Sequence, residues 1–543
     1  MKDLDAVTLG IVWDRLIAIT NEILTALVRT SFSPNVREAL DLSVMVFDAH
    51  GRQISQGTWS VPSFTGTAVA TVKHLLERFP PDTLRPGDVL ATNDPWMGTG
   101  HVYDINVLRP IFVDGRLIGY TFSITHLPDI GGLGFSASGR SIYEEGLRLP
   151  ICKLVSEGVL NDELFELIAL NVRVPDQTIG DLHANLSCTE VGGRLLIEFM
   201  REYDITDLTE IADLIIGYSE RAMREQIAEI PDGVYENSFQ IDGHENPLTL
   251  ACKVDVKGDQ IHVDFSGTSP VVDIGINVPI TYSSAFVMYG LKCLTIPHIP
   301  NNLGCVLPIR VTGPENCILN AQPPYPTGGR HTVGHFVCPL VFGALAKALP
   351  GKVQADSGMI TLVNVQGAHW DGREVSSIYY SSGGYGALPD RDGLSTVPSP
   401  SNMIACPVEV WEDLTGTIVE RKELLTDSGG AGKFRGGLGQ QWVMRNDSDQ
   451  ILTLSCFATR TEFPALGMLG GGNGSARTLQ INNETVHPKG RYVLQPGDVL
   501  TLSDAGGGGF GDPAERDPDL ILQDIRQGNV SKEAARRDYN FTM

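Results

Sequence analysis

None of the nine cysteines, scattered from Cys152 to Cys456 and odd in number, forms a C-x-x-C pair. That spacing removes a zinc-thiolate site and counts against a disulfide framework, leaving reduced thiols in a cytoplasmic protein as the expectation. No apolar run reaches the 18 residues that a membrane-spanning helix requires. The opening, MKDLDAVTLG, has early acids and no uninterrupted apolar core, so it does not read as a signal peptide. Basic residues are also scarce: 41 Lys and Arg stand against 65 Asp and Glu, a formal net charge of −24. Nucleic acid is a poor partner for such a chain, because neutralising phosphate takes clustered Lys and Arg.

Several catalytic signatures are missing. There is no H-E-x-x-H and no G-x-S-x-G, which removes the common metalloprotease and hydrolase-elbow readings. Gly429-Gly-Ala-Gly-Lys433 approaches a phosphate loop, but Asp427 stands at the first glycine position and Phe434 where a Ser or Thr must reach magnesium. Gly506 to Gly511 satisfies G-x-G-x-x-G, yet Asp512-Pro513 follows where a helix should begin. The chain therefore shows no nucleotide site of its own.

A length of 543 residues exceeds what one hydrophobic core supports, and 42% apolar with 20% charged residues is ordinary globular composition. The pattern predicts an α+β multidomain protein: a mixed helical and antiparallel-sheet N-terminal lobe over residues 1–230, a middle α/β region over 231–369, and a β-rich, Gly-rich C-terminal region over 370–543 closed by a helix. Residues 5–30 place apolar side chains at spacings of three and four, predicting an amphipathic helix. Leu42 to Asp48 and Gln53 to Gln56 read as strands, residues 66–79 as a helix, and Val89 to Thr92 as a strand after a Pro-Gly turn. Residues 161–223 are mainly helical in period, and the change to alternation near Pro231-Asp-Gly233 marks the first boundary, before a hairpin over 252–265. Helices are expected over 283–294, 333–349 and 518–537.

The stretch Asn93 to Gly132 concentrates the chemistry. Two β-prone runs, Ile105 to Val113 and Arg116 to Thr125, flank Asp114-Gly115, a strong hairpin-turn signal. Either side of that hairpin stand two His-x-x-Asp pairs, His101/Asp104 and His126/Asp129. A two-residue turn sets cross-strand residue numbers to sum to about 229, which predicts His126 opposite Tyr103 and Asp129 opposite Gly100. Pro110 is a place where a bulge would slip that register. Imidazole nitrogen with carboxylate oxygen suits a borderline divalent ion such as Zn, Mn or Fe(II) and leaves coordination positions open. Hydrogen-bonded histidines and turn-capping aspartates in a Gly-rich loop account for the same spacing.

Other groups stay open. Asp41, at a strand start, and Asp94, in the loop after a strand, are candidates for a general base or a further ligand. Glu144 and Glu145 read either as an acid or base or as solvated loop carboxylates, and His183 as a further ligand or base or a hydrogen-bonded helix histidine. Asp264-Phe-Ser-Gly-Thr-Ser269 and Gly328-Gly-Arg-His-Thr332 are loops whose backbone amides could hold an anion.

Five motifs, in order along almost the whole chain, resemble the hydantoinase B family: Asn93-Asp-Pro-Trp-x-Gly-Thr-Gly-His101, His126-x-x-Asp-Ile-Gly-Gly132, Asp264-Phe-Ser-Gly-Thr-Ser269, Asp427-Ser-Gly-Gly-Ala-Gly-Lys-Phe-Arg-Gly-Gly437 and Gly506-Gly-Gly-Gly-Phe-Gly-Asp-Pro513. That family comprises B-type subunits of ATP-dependent hydantoinases, 5-oxoprolinases and caprolactamase, with related subunits in acetone and acetophenone carboxylases. The resemblance implies an A-type partner that binds ATP and phosphorylates the substrate's amide or enol oxygen, and a B-type chain carrying a divalent metal centre. It maps the metal ligands onto His101, Asp104 and His126, with Asp129 orienting an imidazole. Family members commonly carry Pro-x-His-x-Gly early in the chain; here Pro62-Ser-Phe-Thr-Gly66 places Phe64 at the histidine, which marks a different substrate class or an altered role of the metal site. The length is nearer to the lactam-opening subunits, so the expected activity is hydrolysis of a cyclic amide in a hetero-oligomer. A ketone carboxylase subunit and a non-catalytic scaffold for the A-type partner are the alternatives.

Overall fold

A computed structural model describes residues 6–542 of the chain. The acid-rich opening read against a signal peptide, and residue 5, where the apolar spacing predicts the first helix to begin, lie outside the described residues. The N-terminal part comprises α1 (Ala6–Thr30), α2 (Pro34–Arg37), β1 (Leu42–Asp48), β2 (Gln53–Gln56), α3 (Pro62–Arg78), β3 (Val89–Thr92), β4 (Asp104–Val113), β5 (Arg116–His126), β6 (Cys152–Ser156), β7 (Val159–Leu160), α4 (Asp162–Asn171), α5 (Pro175–Glu202) and α6 (Leu208–Ala228). Its strands form one seven-stranded sheet in the order β2-β1-β5-β4-β3-β6-β7. The i, i+3, i+4 spacing of α1 buries Val12, Leu16, Ile19, Ile23 and Leu27 and leaves Val7 and Ile11 exposed, as a helix laid on a core requires.

The middle region contains β8 (Gly233–Ile241), β9 (Leu248–Lys257), β10 (Gln260–Asp264), α7 (Ile280–Thr295), β11 (Ile309–Thr312), α8 (His331–Gly334) and α9 (Val337–Leu345). Strands β11-β10-β9-β8 make a second sheet, whose β8 alternates half-buried and exposed residues as a strand with one covered face does. The expected helix over 333–349 is interrupted, with His335 and Phe336 between α8 and α9. The Asp264 carboxylate accepts from the Ser266 backbone and hydroxyl, closing the turn on itself.

The C-terminal region follows with β12 (Ile360–Ala368), β13 (Glu374–Ser382), α10 (Val408–Thr415), β14 (Thr417–Leu424), β15 (Gln440–Asn446), β16 (Leu452–Phe457), β17 (Thr478–Ile481), β18 (Glu484–Thr485), β19 (Arg491–Leu494), β20 (Val499–Ser503), α11 (Pro518–Gln527) and α12 (Lys532–Tyr539). Two sheets result, β13-β12-β16-β19 and β14-β15-β20-β17-β18. The architecture is thus α+β and multidomain, with no helix among the described residues long and apolar enough to cross a membrane. One apolar core continues from α1 through α9 and on into β12, β13 and β16, and a second gathers around Tyr379, Trp411 and Trp442, with the Tyr379 and Trp442 rings stacked at 4.1 Å. The single terminal helix expected over 518–537 is two: Gly528, at φ 76°, caps α11 in the left-handed region and turns the chain into α12.

The two failed nucleotide motifs find a packing role. Gly507 N–H donates to Gly437 O at 2.9 Å, Gly437 N–H to Tyr385 O at 2.8 Å, and Gly430 N–H to Gly507 O at 2.8 Å. These segments lie so close that a Cβ on Gly507 would overlap the Tyr385 carbonyl and one on Gly436 the Gly507 carbonyl. Glycine is required here by backbone packed on backbone. Gly507→Ala and Gly436→Ala are expected to lower unfolding stability by about 1–3 kcal/mol each, the cost of overpacking. Gly10→Ala in α1, where a Cβ meets nothing within 4 Å, should raise it by about 0.5–1 kcal/mol. Urea unfolding midpoints decide; unchanged midpoints in both Gly507→Ala and Gly436→Ala would refute the close packing.

Candidate metal centre

The geometry of the centre is set by the register of β4 on β5. The first two pairs after the Asp114-Gly115 turn, Val113 with Arg116 and Phe112 with Leu117, follow the register that a two-residue turn predicts. Between Ile111 and Phe112 the ladder slips by one residue, leaving Ile118 without a partner, and the strands then run on to place Asp104 opposite His126. The expected pairing of His126 with Tyr103 is corrected accordingly. The slip falls beside Pro110, past the part of β4 that β3 covers, where an irregular ladder is least costly. Because directly opposed residues share a face, the slip puts the Asp104 and His126 side chains together.

His101 enters from the preceding turn. Gly100, at φ 95°, makes that turn, and a Cβ there would come within 2.7 Å of the Arg330 side chain. One ligand atom from each of His101, Asp104 and His126 lies within 4.8 Å of the other two, and the three residues are at most 3% exposed. His101 Nδ1 is 3.3 Å from Gly328 O and His126 Nδ1 is 2.9 Å from Leu127 O. A carbonyl only accepts, so His126 Nδ1 carries the proton and its Nε2 keeps a lone pair, whereas His101 stands between two acceptors, Gly328 O at Nδ1 and the Asp104 carboxylate at Nε2. His126 Nε2 and Asp104 Oδ1 are buried with no hydrogen-bond partner, and His101 Nε2 meets only the Asp104 carboxylate. An N, N and O set gathered within 4.8 Å, two of its atoms orphaned, fits a divalent ion such as Zn, Mn or Fe(II).

The electrostatics match that chemistry. Burial lowers His126 to about 3, with the neighbouring His101 adding to it, and burial followed by Arg330 lowers His101. His126 is therefore neutral, the form that ligates metals, and His101 holds its proton less tightly than an ordinary imidazole. Burial would raise Asp104, but His101 and Arg330 overcome it and hold this carboxylate well below its ordinary range. Arg330 donates from Nη2 to Asp104 Oδ2 and from Nε to Thr99 O, both at 2.7 Å, and its guanidinium lies 4.3 Å from the Tyr282 ring centre. Asp104 Oδ2 is also 2.9 Å from His101 Nε2.

The other nominated residues have different surroundings. Asp41 precedes β1; its carbonyl accepts the His126 N–H at 3.2 Å and its Oδ2 the Tyr380 hydroxyl at 3.2 Å. Burial and the nearby Asp104 raise the Asp41 carboxyl well above its usual range. Asp94 Oδ1 accepts from the backbones of Trp96 and Met97, closing the Asn93 to Gly100 loop. Asp129 bonds to neither imidazole: Arg173 donates to it from its backbone and its guanidinium, and Gly131 from its backbone. Phe64 is buried in the first turn of α3. His183 is exposed on α5, beside the Phe165 ring. Arg330, Gly328, Tyr380 and the buried His331, whose Nε2 has no partner, were not nominated from sequence as members of this centre. For all but Tyr380 the one signal was the Gly328-Gly-Arg-His-Thr332 loop, where an Arg and a His stand together after two glycines.

Fold and centre together define a multidomain α+β protein with a buried two-histidine, one-aspartate cluster at the mouth of a hairpin. The family model described as Hydantoinase B/oxoprolinase matches residues 5–513, and the chain belongs to that family. It is 30% identical to the beta chain of caprolactamase from Pseudomonas jessenii, over 100% of this chain and 97% of that one. It is 28% identical to the B component of a putative D-/L-hydantoinase of Pseudomonas sp. (strain NS671), over 100% and 96%. The crystal structure of the ATP-dependent caprolactamase from Pseudomonas jessenii superposes with a TM-score of 0.91 at 28% identity, covering 100% of this chain and 97% of that one. A nucleotide-free structure of acetone carboxylase gives a TM-score of 0.90 at 18% identity, covering 100% and 80%, and shares the fold.

Removing Arg330 would leave the Asp104 carboxylate buried without its cation. In chelator-treated protein, Arg330→Met is expected to cost about 3–5 kcal/mol of unfolding stability. A change below about 1 kcal/mol, within what an exposed pair contributes, would refute the dependence of Asp104 on Arg330.

Proposed function

We propose that this chain is the B-type subunit of an ATP-dependent cyclic amidohydrolase, opening a hydantoin or lactam at a divalent metal centre after an A-type partner has used ATP to phosphorylate the amide oxygen. The observation that carries the reading is the convergence of three buried ligand atoms, on His101, Asp104 and His126, in a chain whose relatives are named as hydantoinase and caprolactamase subunits. A divalent ion held there would supply Lewis-acid polarisation and a water acidic enough to act as nucleophile near neutral pH.

The chain's own groups prepare that chemistry. The Leu127 carbonyl sets the His126 tautomer, the Gly328 carbonyl orients His101, and Arg330 holds Asp104 ionised and in place. Burial of the centre excludes bulk water, which would otherwise compete for a phosphorylated intermediate. Of Asp41, Asp94 and Asp129, Asp41 is the one we assign to proton transfer: its Oδ2 sits on the Tyr380 hydroxyl, and its raised affinity for a proton suits an acid that gives one up as charge builds nearby. Asp94 and Asp129 we assign to holding the two loops that flank the hairpin.

The test is co-expression with an A-type subunit, metal analysis, and ATP hydrolysis screened against lactams, hydantoins and ketones. His101→Ala and His126→Ala are each expected to reduce metal content to background and activity by more than about 100-fold, beyond what loss of an outer hydrogen-bond partner costs. Full metal content in both variants would refute the centre. Labelled bicarbonate appearing in product would replace hydrolysis by the carboxylase reading that the shared acetone carboxylase fold suggests. Full activity in both variants would leave the chain a scaffold.

A further inference from the structure

Two adjacent acids after the hairpin have opposite fates. Glu144 is exposed, and its Oε2 accepts the Arg140 N–H at 2.9 Å. Glu145 is 3% exposed and enclosed by glycine backbone: a Cβ on Gly275 would come within 3.0 Å of Glu145 Oε1, one on Gly328 within 3.2 Å, and one on Gly139 within 3.3 Å of its Cγ. A carboxyl removed from water must find a partner, and here Oε1 accepts the Gly328 N–H at 2.7 Å. Burial raises this carboxyl to about 8, so near neutral pH it is mostly the uncharged acid and still an acceptor.

On the other side of its Cα, Gly328 presents the carbonyl of the following peptide to the metal centre, 3.3 Å from His101 Nδ1. Two residues further, Arg330 donates to Asp104 Oδ2. One short loop therefore supports two of the three ligating side chains, and Glu145 is the side chain that fixes its leading peptide. We propose that Glu145 is a positioning residue for the His101, Asp104 and His126 centre, acting through Gly328 and its two flanking peptides to hold His101 Nε2 and the Arg330 loop in ligating geometry. The proposal rests on the reading that these three residues hold a divalent ion.

The experiment measures the Zn(II) dissociation constant of the full chain by competition with a chromophoric chelator. Glu145→Ala removes the acceptor, and affinity is expected to fall about 10- to 100-fold. Glu145→Gln keeps an oxygen in place and is expected to restore affinity close to that of the parent chain. Ile142→Ala, a cavity variant of a buried residue in the same turn, should lower the unfolding midpoint while leaving affinity at the parent value. Parent-level affinity in Glu145→Ala, or an equal loss in Ile142→Ala, overturns the proposal. Should Glu145→Ala not fold, Glu145→Asp retracts the acceptor by one methylene and is expected to weaken Zn(II) binding; parent-level affinity there overturns it as well. Zn(II) binding that survives His126→Ala sinks the metal reading and this proposal together. Binding lost in His126→Ala but untouched at Glu145 sinks the proposal alone.

Discussion

A carboxylate with no access to solvent must be matched by positive charge, and Asp104, fully buried at the start of β4, is the group around which that requirement organises the molecule. Its oxygens face His101, Arg330 and, across the ladder, His126. Meeting the requirement draws in Gly100, whose missing side chain admits Arg330, and Thr99, whose carbonyl accepts from the same guanidinium. It also draws in the segment before α8, which is remote in sequence and carries both Gly328 and Arg330. Removal of either charge leaves the other exposed to the full cost of its burial, so the N-terminal sheet and the middle region are tied at this point.

The same constraint explains how the centre is poised. The ionised Asp104 is matched by the Arg330 guanidinium, burial disfavours a charge on either imidazole, and burial with the nearby Asp104 disfavours one on Asp41. A dication entering such a site would be opposed by Arg330 and favoured by Asp104, and it would lower the cost of ionising Asp41. The centre is thus compatible with an ion and, through Tyr380 of β13, sensitive to the C-terminal region.

Much of this was legible in the sequence because it is local. His-x-x-Asp places His101 and Asp104 on one turn, Asp114-Gly115 folds the next strand back, and His126 follows at the far end of a β-prone run. The one-residue slip beside Pro110 was legible only as a hazard: turn chemistry sets the register next to the turn, whereas packing of β1 and β3 on either side of the hairpin settles it further along. Arg330, Gly328, Glu145 and Tyr380 were not legible as parts of this centre. Nothing in Gly328-Gly-Arg-His-Thr332 or in Tyr143-Glu-Glu-Gly146 states which distant peptide it will face, and Glu144 and Glu145, identical as neighbours in sequence, are separated into solvent and core by the loop's path. The glycine runs approach a phosphate or dinucleotide loop in pattern and serve instead as surfaces of backbone packed on backbone, a use set by segments remote in the chain.

The sequence by itself determined many of the secondary elements, the α+β class, the hairpin with its two histidines and an aspartate, and the family. Each follows from periodicity, turn chemistry or motif within a few tens of residues. Only the tertiary structure decided that Asp104 opposes His126, that Arg330 neutralises Asp104, that Asp129 turns away to Arg173, and that Glu145 is buried against Gly328. Those outcomes depend on which remote charges and peptide groups must pair once water is excluded, and no local rule specifies such pairings.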